Sequence, residues 1–295
     1  MLQRLGSRSQ LCYSPLVRRA LPFVVAALFA VAGPAALLSQ EPPHAHGAEG
    51  HRLGTVDFPN SGAAAAQEPF LRGIAFLHSF EYTDAAEAFR EAQQADPGFA
   101  LAFWGEALTN TQLLWGVDDP DAAREALGRL APSPESRLAL AGTEFERDLG
   151  AAVEAFFAND ETTARARAFA DSLRALAARD PHPEAAAFAS LAIQMALAEG
   201  AYPEAEGVSL REEAIALADR VFRANPDHPG AAHYLIHAYD DPELAPRGLE
   251  AARAYASIAP DAEHALHMPS HIFLQVGLWD DTAASNERAW AASRA

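Results

Sequence analysis

Apolar residues recur at helical spacing in long stretches of this 295-residue chain. Residues 68–97 contain two such stretches, each long enough for a helix. The small residues Gly73 and Ala85 occupy one position in each stretch, where they would let two helices cross closely. Phe76 and Phe89 would fill the space beside that crossing. The pattern therefore predicts a pair of antiparallel α-helices in this region.

The same spacing continues along the chain at intervals close to 34 residues. Pro97, Pro226 and Pro260 each end a predicted second helix, and the last two prolines are 34 residues apart. A repeat of this length predicts helix pairs stacked side by side. Residues 132–160 depart from the period, and we interpret them as an inserted or distorted helix pair. The other predicted helices are at residues 99–115, 121–130, 162–179, 184–200 and 211–225.

The unit that closes at Pro97 resembles the tetratricopeptide repeat (TPR), and this resemblance covers most of residues 66–295. It implies an all-α, tetratricopeptide-like α-solenoid, a right-handed superhelix whose first helices line a concave groove. The segments HYLIH and HMPSHIF are similar to those of uncharacterised secreted bacterial TPR proteins, which implies export but no reaction. Because the sequence stops within a predicted second helix, we expect either a partner at this end or a truncated C-terminus.

Residues 1–40 are typical of an export signal. Arg18 and Arg19 precede an apolar run at residues 21–38, and small residues follow it. An uncleaved membrane anchor is the alternative, because the run is just long enough to span a bilayer. Residues 41–65 lack periodicity and are predicted to be a flexible linker. We therefore expect a periplasmic or secreted protein, with no membrane attachment after signal cleavage.

Charge and cysteine content narrow the possible functions. The formal net charge is −18 and the chain has no lysine, which argues against a nucleic-acid partner. The single cysteine, Cys12, lies within the predicted signal. A mature chain without cysteine excludes disulfide bonds and thiolate chemistry.

Five histidines lie within 39 residues towards the C-terminal end of the sequence. On the repeat register they belong to two consecutive first helices, at spacings of three or four residues that place each set on one helix face. In the family that the chain resembles, these positions face the concave groove. The five are His233, His237, His264, His267 and His271.

Neutral imidazoles from two adjacent helices can bind a divalent transition metal. We therefore predict that these histidines bind zinc, copper or iron, because a set of nitrogen ligands without sulfur does not discriminate among the three metals. Asp240 and Asp241 would complete the ligand shell or orient the imidazoles. The alternative is that the histidines hydrogen-bond to the backbone or to a bound peptide. Pro269 must kink the second of these helices or delay its start, which would displace the earlier histidines from the stripe of His271.

Two functions follow from these patterns. The first is an exported binding scaffold, whose groove takes a peptide, a protein or a small ligand; its candidate groove residues are His78, Trp104, Asp240 and Asp241. The second is a metal-dependent enzyme (a hydrolase or an oxidase) or a metal carrier that uses the five histidines. The sequence contains no phosphate loop, nucleophile elbow or HExxH motif. Convergence of the five histidines at one point would favour the second function.

Overall fold

The computed structural model describes residues 50–294, and these are mostly α-helical. The helices are α1 (Ala64–His78), α2 (Tyr82–Ala95), α3 (Ala100–Thr109), α4 (Pro120–Leu130), α5 (Pro134–Leu138), α6 (Glu144–Phe156), α7 (Thr162–Arg179), α8 (Pro183–Ala198), α9 (Glu204–Ala224), α10 (Pro229–Tyr239), α11 (Leu249–Ile258), α12 (Glu263–His267), α13 (Pro269–Gln275) and α14 (Trp279–Ala292). A short antiparallel pair, β1 (Thr111–Gln112) and β2 (Val117–Asp118), encloses the 3-10 turn Leu113–Trp115, and a second 3-10 turn is formed by Ala245–Gly248. The all-α prediction is confirmed.

Most helices from α1 to α10 pack mainly on the helices before and after them in the chain, as expected for a solenoid. The series is interrupted between α4, which packs on α3, and α5, which packs on α6. The predicted close crossing is present. A Cβ atom on Gly73 of α1 would lie 2.8 Å from the ring of Phe89, and one on Gly105 of α3 would lie 2.6 Å from the same ring. The Phe89 ring therefore fills a gap that only two glycines leave open.

The inner helices of the solenoid also meet one another. Helix α1 contacts α10, and α10 contacts α8. Two positions that the repeat register assigns to an open groove are buried, the first by these contacts and the second by the packing of α3 on α6. His78 is fully buried, and Trp104 is 1% exposed with its indole N–H donating to Glu154 at 3.1 Å. Both side chains therefore lie in the interior rather than on an open surface, and their role in a ligand groove stays a prediction.

Two boundaries differ from the predictions. Helix α3 ends at Thr109 instead of continuing to residue 115, because Thr111 pairs with Asp118 across β1 and β2. Residues 51–63, predicted to be linker, pack on the solenoid through Leu53 and Phe58, which are 4% and 3% exposed. Their apolar side chains supply the anchoring that a flexible linker lacks. Residues 1–49, which contain the predicted signal and the start of the linker, lie outside the described residues. In the part that is described, no helix is long and apolar enough to cross a membrane.

Local sequence fixes the ends of the helices that carry the five histidines. Helix α10 begins at Pro229, where a missing N–H costs nothing, and the ring of His228 accepts the Ala231 N–H at 3.1 Å as the cap. Pro269 divides the following histidine segment as predicted: α12 stops at His267 and α13 begins at Pro269. Residues 132–160 hold α5 and α6, a short helix followed by a longer one.

Candidate metal centre

The five histidines lie in one continuous group, which we call the histidine cluster (His233, His237, His264, His267 and His271). The first two lie one turn apart on α10, the next two are on α12, and the last is on α13. Neighbouring ring centroids are 4.8 Å apart for His233 and His237, and 4.9 Å apart for His233 and His264. The chain of contacts continues through His267, 6.0 Å from His264, to His271, 5.0 Å further. The break at Pro269 therefore does not separate His264 and His267 from His271.

Three members of the cluster form a compact set of donors. One ring nitrogen from each of His233, His237 and His264 lies within 4.8 Å of the other two, and we call these residues the three-histidine set. The Nε2 atoms of His233 and His264 are 3.1 Å apart. The Nε2 atom of His237 is buried and has no hydrogen-bond partner among the described residues. A buried polar atom of this kind normally has a partner, so this nitrogen is available to one.

The other two histidines have their protons fixed by neighbouring oxygens. His271 Nδ1 lies 2.8 Å from Asp240 Oδ2, and His267 Nδ1 lies 2.7 Å from Asn286 Oδ1. The Asn286 amide cannot be reversed without losing the bond from its Nδ2 to the Thr282 carbonyl. Both facing atoms are acceptors, so each ring carries its single neutral-state proton on Nδ1.

The consequence is that two bare nitrogens face each other. His267 Nε2 and His271 Nε2 are 3.1 Å apart, and each presents a lone pair to the other. Such a pair is repulsive unless a cation lies between the two atoms. Two nitrogens bound at about 2.0–2.1 Å to a tetrahedral metal ion are about 3.3 Å apart, which is close to the observed separation.

Burial keeps the imidazoles of the three-histidine set neutral. Burial, and after it the neighbouring His271, lower the pKa of His237 to about 3. Burial also lowers the pKa of His233 and His264 well below the ordinary value, with His237 as the next cause for both. The neutral form is the one that donates a lone pair to a metal. The three-histidine set is thus held in its ligand form at neutral pH.

The two predicted aspartates have different roles. Asp240 ends α10 and accepts two hydrogen bonds, one from His271 and one from Gln275 Nε2 at 3.1 Å. Burial acts to raise the pKa of Asp240, but the bond from His271 holds it below the ordinary value. The carboxylate therefore orients an imidazole from behind. Asp241 points elsewhere, with its carboxylate 3.7 Å from Arg211.

Aromatic side chains enclose the three-histidine set. The ring of Phe80 lies 4.4 Å from His233 and 5.5 Å from His264, and Tyr255 stacks on His233 at 5.2 Å. Phe80 has φ of 58°, a left-handed conformation that is uncommon for a large side chain. Trp115, 47% exposed, covers the outer edge of His264 at 5.1 Å.

Sequence reasoning missed three residues around the cluster. The role of Phe80 depends on the contact of α1 with α10, for which the repeat register has no signal. Glu81 accepts the backbone N–H of His264 at 2.9 Å and so fixes the start of α12. Burial raises the pKa of Glu81 to about 7. Asn286 comes from α14, and only its spacing from Thr282 on one helix face could have suggested a role.

A second buried cluster consists of His78, Glu184 and His228, whose ligand-type atoms also lie within 4.8 Å of one another. Here every nitrogen has an ordinary partner. His78 contacts Glu184 at 2.8 Å through Nε2 and the Tyr234 hydroxyl at 2.8 Å through Nδ1. His228 donates from Nε2 to the other Glu184 oxygen at 2.9 Å, since its Nδ1 accepts the helix-capping bond. One carboxylate and two neutral imidazoles complete this network without an ion.

The second cluster supports the first through the backbone. The carbonyl of His78 accepts a hydrogen bond from His233 Nδ1 at 2.6 Å. This bond places the proton of His233 on Nδ1 and leaves its Nε2 bare, as for His267 and His271. A ligand histidine with an oxygen behind its second nitrogen is the usual arrangement at metal sites.

Comparisons with known proteins add little. No protein-family model matches this chain, and no curated protein matches it. Among solved structures, the crystal structure of MamA protein has 15% sequence identity and a TM-score of 0.31, and the match covers 78% of this chain and 92% of that chain. A TM-score this low carries no argument. The assignment of a function therefore depends on the geometry of the histidine cluster.

Proposed function

We propose that this protein is an exported, tetratricopeptide-like protein that binds a transition metal at the histidine cluster. The observation that carries the proposal is the 3.1 Å approach of His267 Nε2 to His271 Nε2, with both Nδ1 protons already donated to oxygens. A metal ion relieves the repulsion between the two lone pairs. The three-histidine set extends the same donor surface, and the unpartnered nitrogen of His237 supports its use as a ligand.

The donor set favours particular metals. All five predicted ligands are histidines, and imidazole nitrogens bind zinc, copper and iron better than magnesium or calcium. Burial excludes water from His233, and the aromatic rings around the cluster lower the local polarity. Asp240 would make His271 a stronger donor by taking its Nδ1 proton. The half-buried side chains of His267 and His271 give the ion a route to and from solvent.

The test is metal content together with a paired substitution. Untagged protein from the periplasm should contain stoichiometric zinc, copper or iron by mass spectrometry of the elements. His237→Ala combined with His271→Ala should abolish stoichiometric binding, while helicity measured by circular dichroism stays close to that of the parent. His51→Ala, which changes a histidine outside the cluster, is the matched control and should keep its metal. Parent protein without metal, or a double variant that binds as tightly as the parent, would refute the proposal.

Carrier and enzyme differ in how firmly the ion is held. A carrier must release its ion to an acceptor, whereas an enzyme retains it through turnover. The rate at which a strong chelator removes metal from the loaded protein separates the two uses. The scaffold function loses support, because two of its four groove residues, His78 and Trp104, are buried.

Export is part of the proposal and has its own test. It is supported by the arginine-flanked apolar run at residues 21–38. Mass spectrometry of the periplasmic or secreted protein should find an N-terminus between residues 36 and 41. Full-length protein confined to the cytoplasm would contradict it.

A further inference from the structure

An apolar cavity lies next to the histidine cluster. Its volume is about 30 Å³, and its walls come from α1, α8 and the turn between β1 and β2, among other elements. Carbon atoms form nearly all of its surface. The side chains that define it include Leu77, Phe80, Leu114, Phe188, Leu191 and Met195.

The cavity and the cluster share a wall. Phe80 lines the cavity, and its ring also contacts three histidines, including His237 at a centroid distance of 5.6 Å. Tyr82 lines the cavity too and stacks on Phe80 at 5.3 Å. Leu114 reaches the cavity from the same turn that places Trp115 against His264. The hairpin that interrupts the helical repeat thus contributes to both the cavity and the cluster.

The lining determines what the cavity can hold. Among the described residues that line it, none carries a charge. Two lining residues, Tyr82 and Thr111, carry hydroxyl groups, and the Thr111 hydroxyl is already bonded to Asp118 at 3.2 Å. A water molecule needs two to four polar partners, and comparable apolar cavities stay dry while binding apolar molecules such as xenon. A single water needs about 10–15 Å³ in this measure, so 30 Å³ accommodates roughly two or three such volumes.

We propose that this cavity is a binding site for a small, uncharged, apolar molecule of the size of xenon or dioxygen, held beside the metal centre. Its placement beside a metal ion rests on the proposed function, but the cavity itself does not need the ion. None of the described lining residues is a histidine, and the ring of Phe80 separates the cavity from the histidine cluster, so the bound molecule would lie against Phe80 rather than on the ion.

The experiment uses xenon as the probe on the full, metal-free protein. Xenon-pressurised crystals should contain one xenon atom among Leu77, Phe80 and Leu191, and xenon NMR should report saturable binding. Leu191→Phe and, separately, Leu114→Phe fill the cavity and should each weaken xenon binding by at least about tenfold. Leu140→Phe changes a leucine that is 44% exposed, outside the cavity, and should leave xenon binding unchanged.

The outcomes separate this inference from the metal proposal. Ordered water in the cavity, no saturable xenon binding, or equal binding by parent and both filled variants would overturn the gas site. Two cavity-filling variants are used so that, if one of them fails to fold, the other still tests the site. If the metal-free protein binds xenon but does not take up metal when metal is added, the apolar site stands and only the metal centre is refuted.

Discussion

Replacing Asp240 with asparagine tests the proton assignment on which the metal proposal depends. Both oxygens of this carboxylate accept hydrogen bonds, Oδ2 from His271 Nδ1 at 2.8 Å and Oδ1 from Gln275 Nε2 at 3.1 Å. An amide of the same shape has one oxygen and one NH₂ group. In either orientation, Asp240→Asn therefore leaves one donor facing another donor.

The loss of metal affinity in Asp240→Asn depends on how the proton of His271 is redistributed. If its Nδ1 proton loses the acceptor, the ring gains by moving that proton to Nε2, the atom that faces His267. Metal must then displace the proton before it binds. Changes to oxygens behind ligand histidines typically cost 10- to 100-fold in metal affinity, or about 1.4–2.7 kcal/mol. We expect Asp240→Asn to weaken binding within this range.

The assay is a competition titration against a chromophoric chelator at pH 7.5. Asp241→Asn is the matched control, since it makes the same chemical change one residue later, at a carboxylate that faces Arg211. The control should bind metal with the parent's affinity. Equal losses in the two variants would mean that general charge, rather than the bond to His271, controls affinity.

A second substitution provides a rescue. Gln275→Ala removes the donor that competes for the amide oxygen, so the oxygen of the Asp240→Asn side chain can face His271. The double variant should recover part of the lost affinity, whereas Gln275→Ala alone should have little effect. Unchanged affinity in Asp240→Asn, or no recovery in the double variant, would refute the proton assignment.

Three further predictions concern stability. The pKa values of the three-histidine set are lowered in the folded protein, so the unfolded chain binds more protons below pH 6.5. The free energy of unfolding of metal-free protein, measured in urea, should therefore fall by up to about 1.4 kcal/mol per pH unit per histidine as the pH falls from 6.5. A free energy of unfolding that is flat or rises over this range would contradict the prediction. Gly73→Ala should cost about 1–3 kcal/mol because the new methyl group meets Phe89 at 2.8 Å, while Gly128→Ala, with open space around it, should not lower the melting temperature. Glu184→Gln should destabilise the fold by about 1–3 kcal/mol in the same unfolding assay, because the amide has only one oxygen where the carboxylate has one for each imidazole. The folded variant should nevertheless keep its metal stoichiometry.

The sequence predicted the helix pairs because the relevant pattern is local. Small residues at Gly73 and Ala85, with aromatic residues a few positions away, describe one crossing between neighbouring helices. The same local rule placed the histidines of α10 on one face and gave a break at Pro269. Each of these inferences needs only residues within one repeat.

Contacts between distant parts of the chain could not be predicted in this way. A 34-residue register describes each unit as if its inner face were open. In the structure α1 reaches α10, so His78 is buried and its carbonyl holds the proton of His233, 155 residues away. Leu53 and Phe58 lie in a segment too short to show periodicity, which is why it was predicted to be linker. Such contacts depend on how helices from distant repeats pack on one another rather than on any one repeat.

The two buried histidine clusters show why residue type alone does not identify a metal site. By composition, His78, Glu184 and His228 form the more conventional ligand set, with two imidazoles and a carboxylate. Yet a count of protons and lone pairs gives every atom there a partner, so an ion would have to displace good hydrogen bonds. The same count at His267 and His271 leaves two lone pairs facing each other with no proton to share. What separates a structural network from a candidate ligand set is therefore the position of each proton, and the bonds behind the imidazoles determine that position.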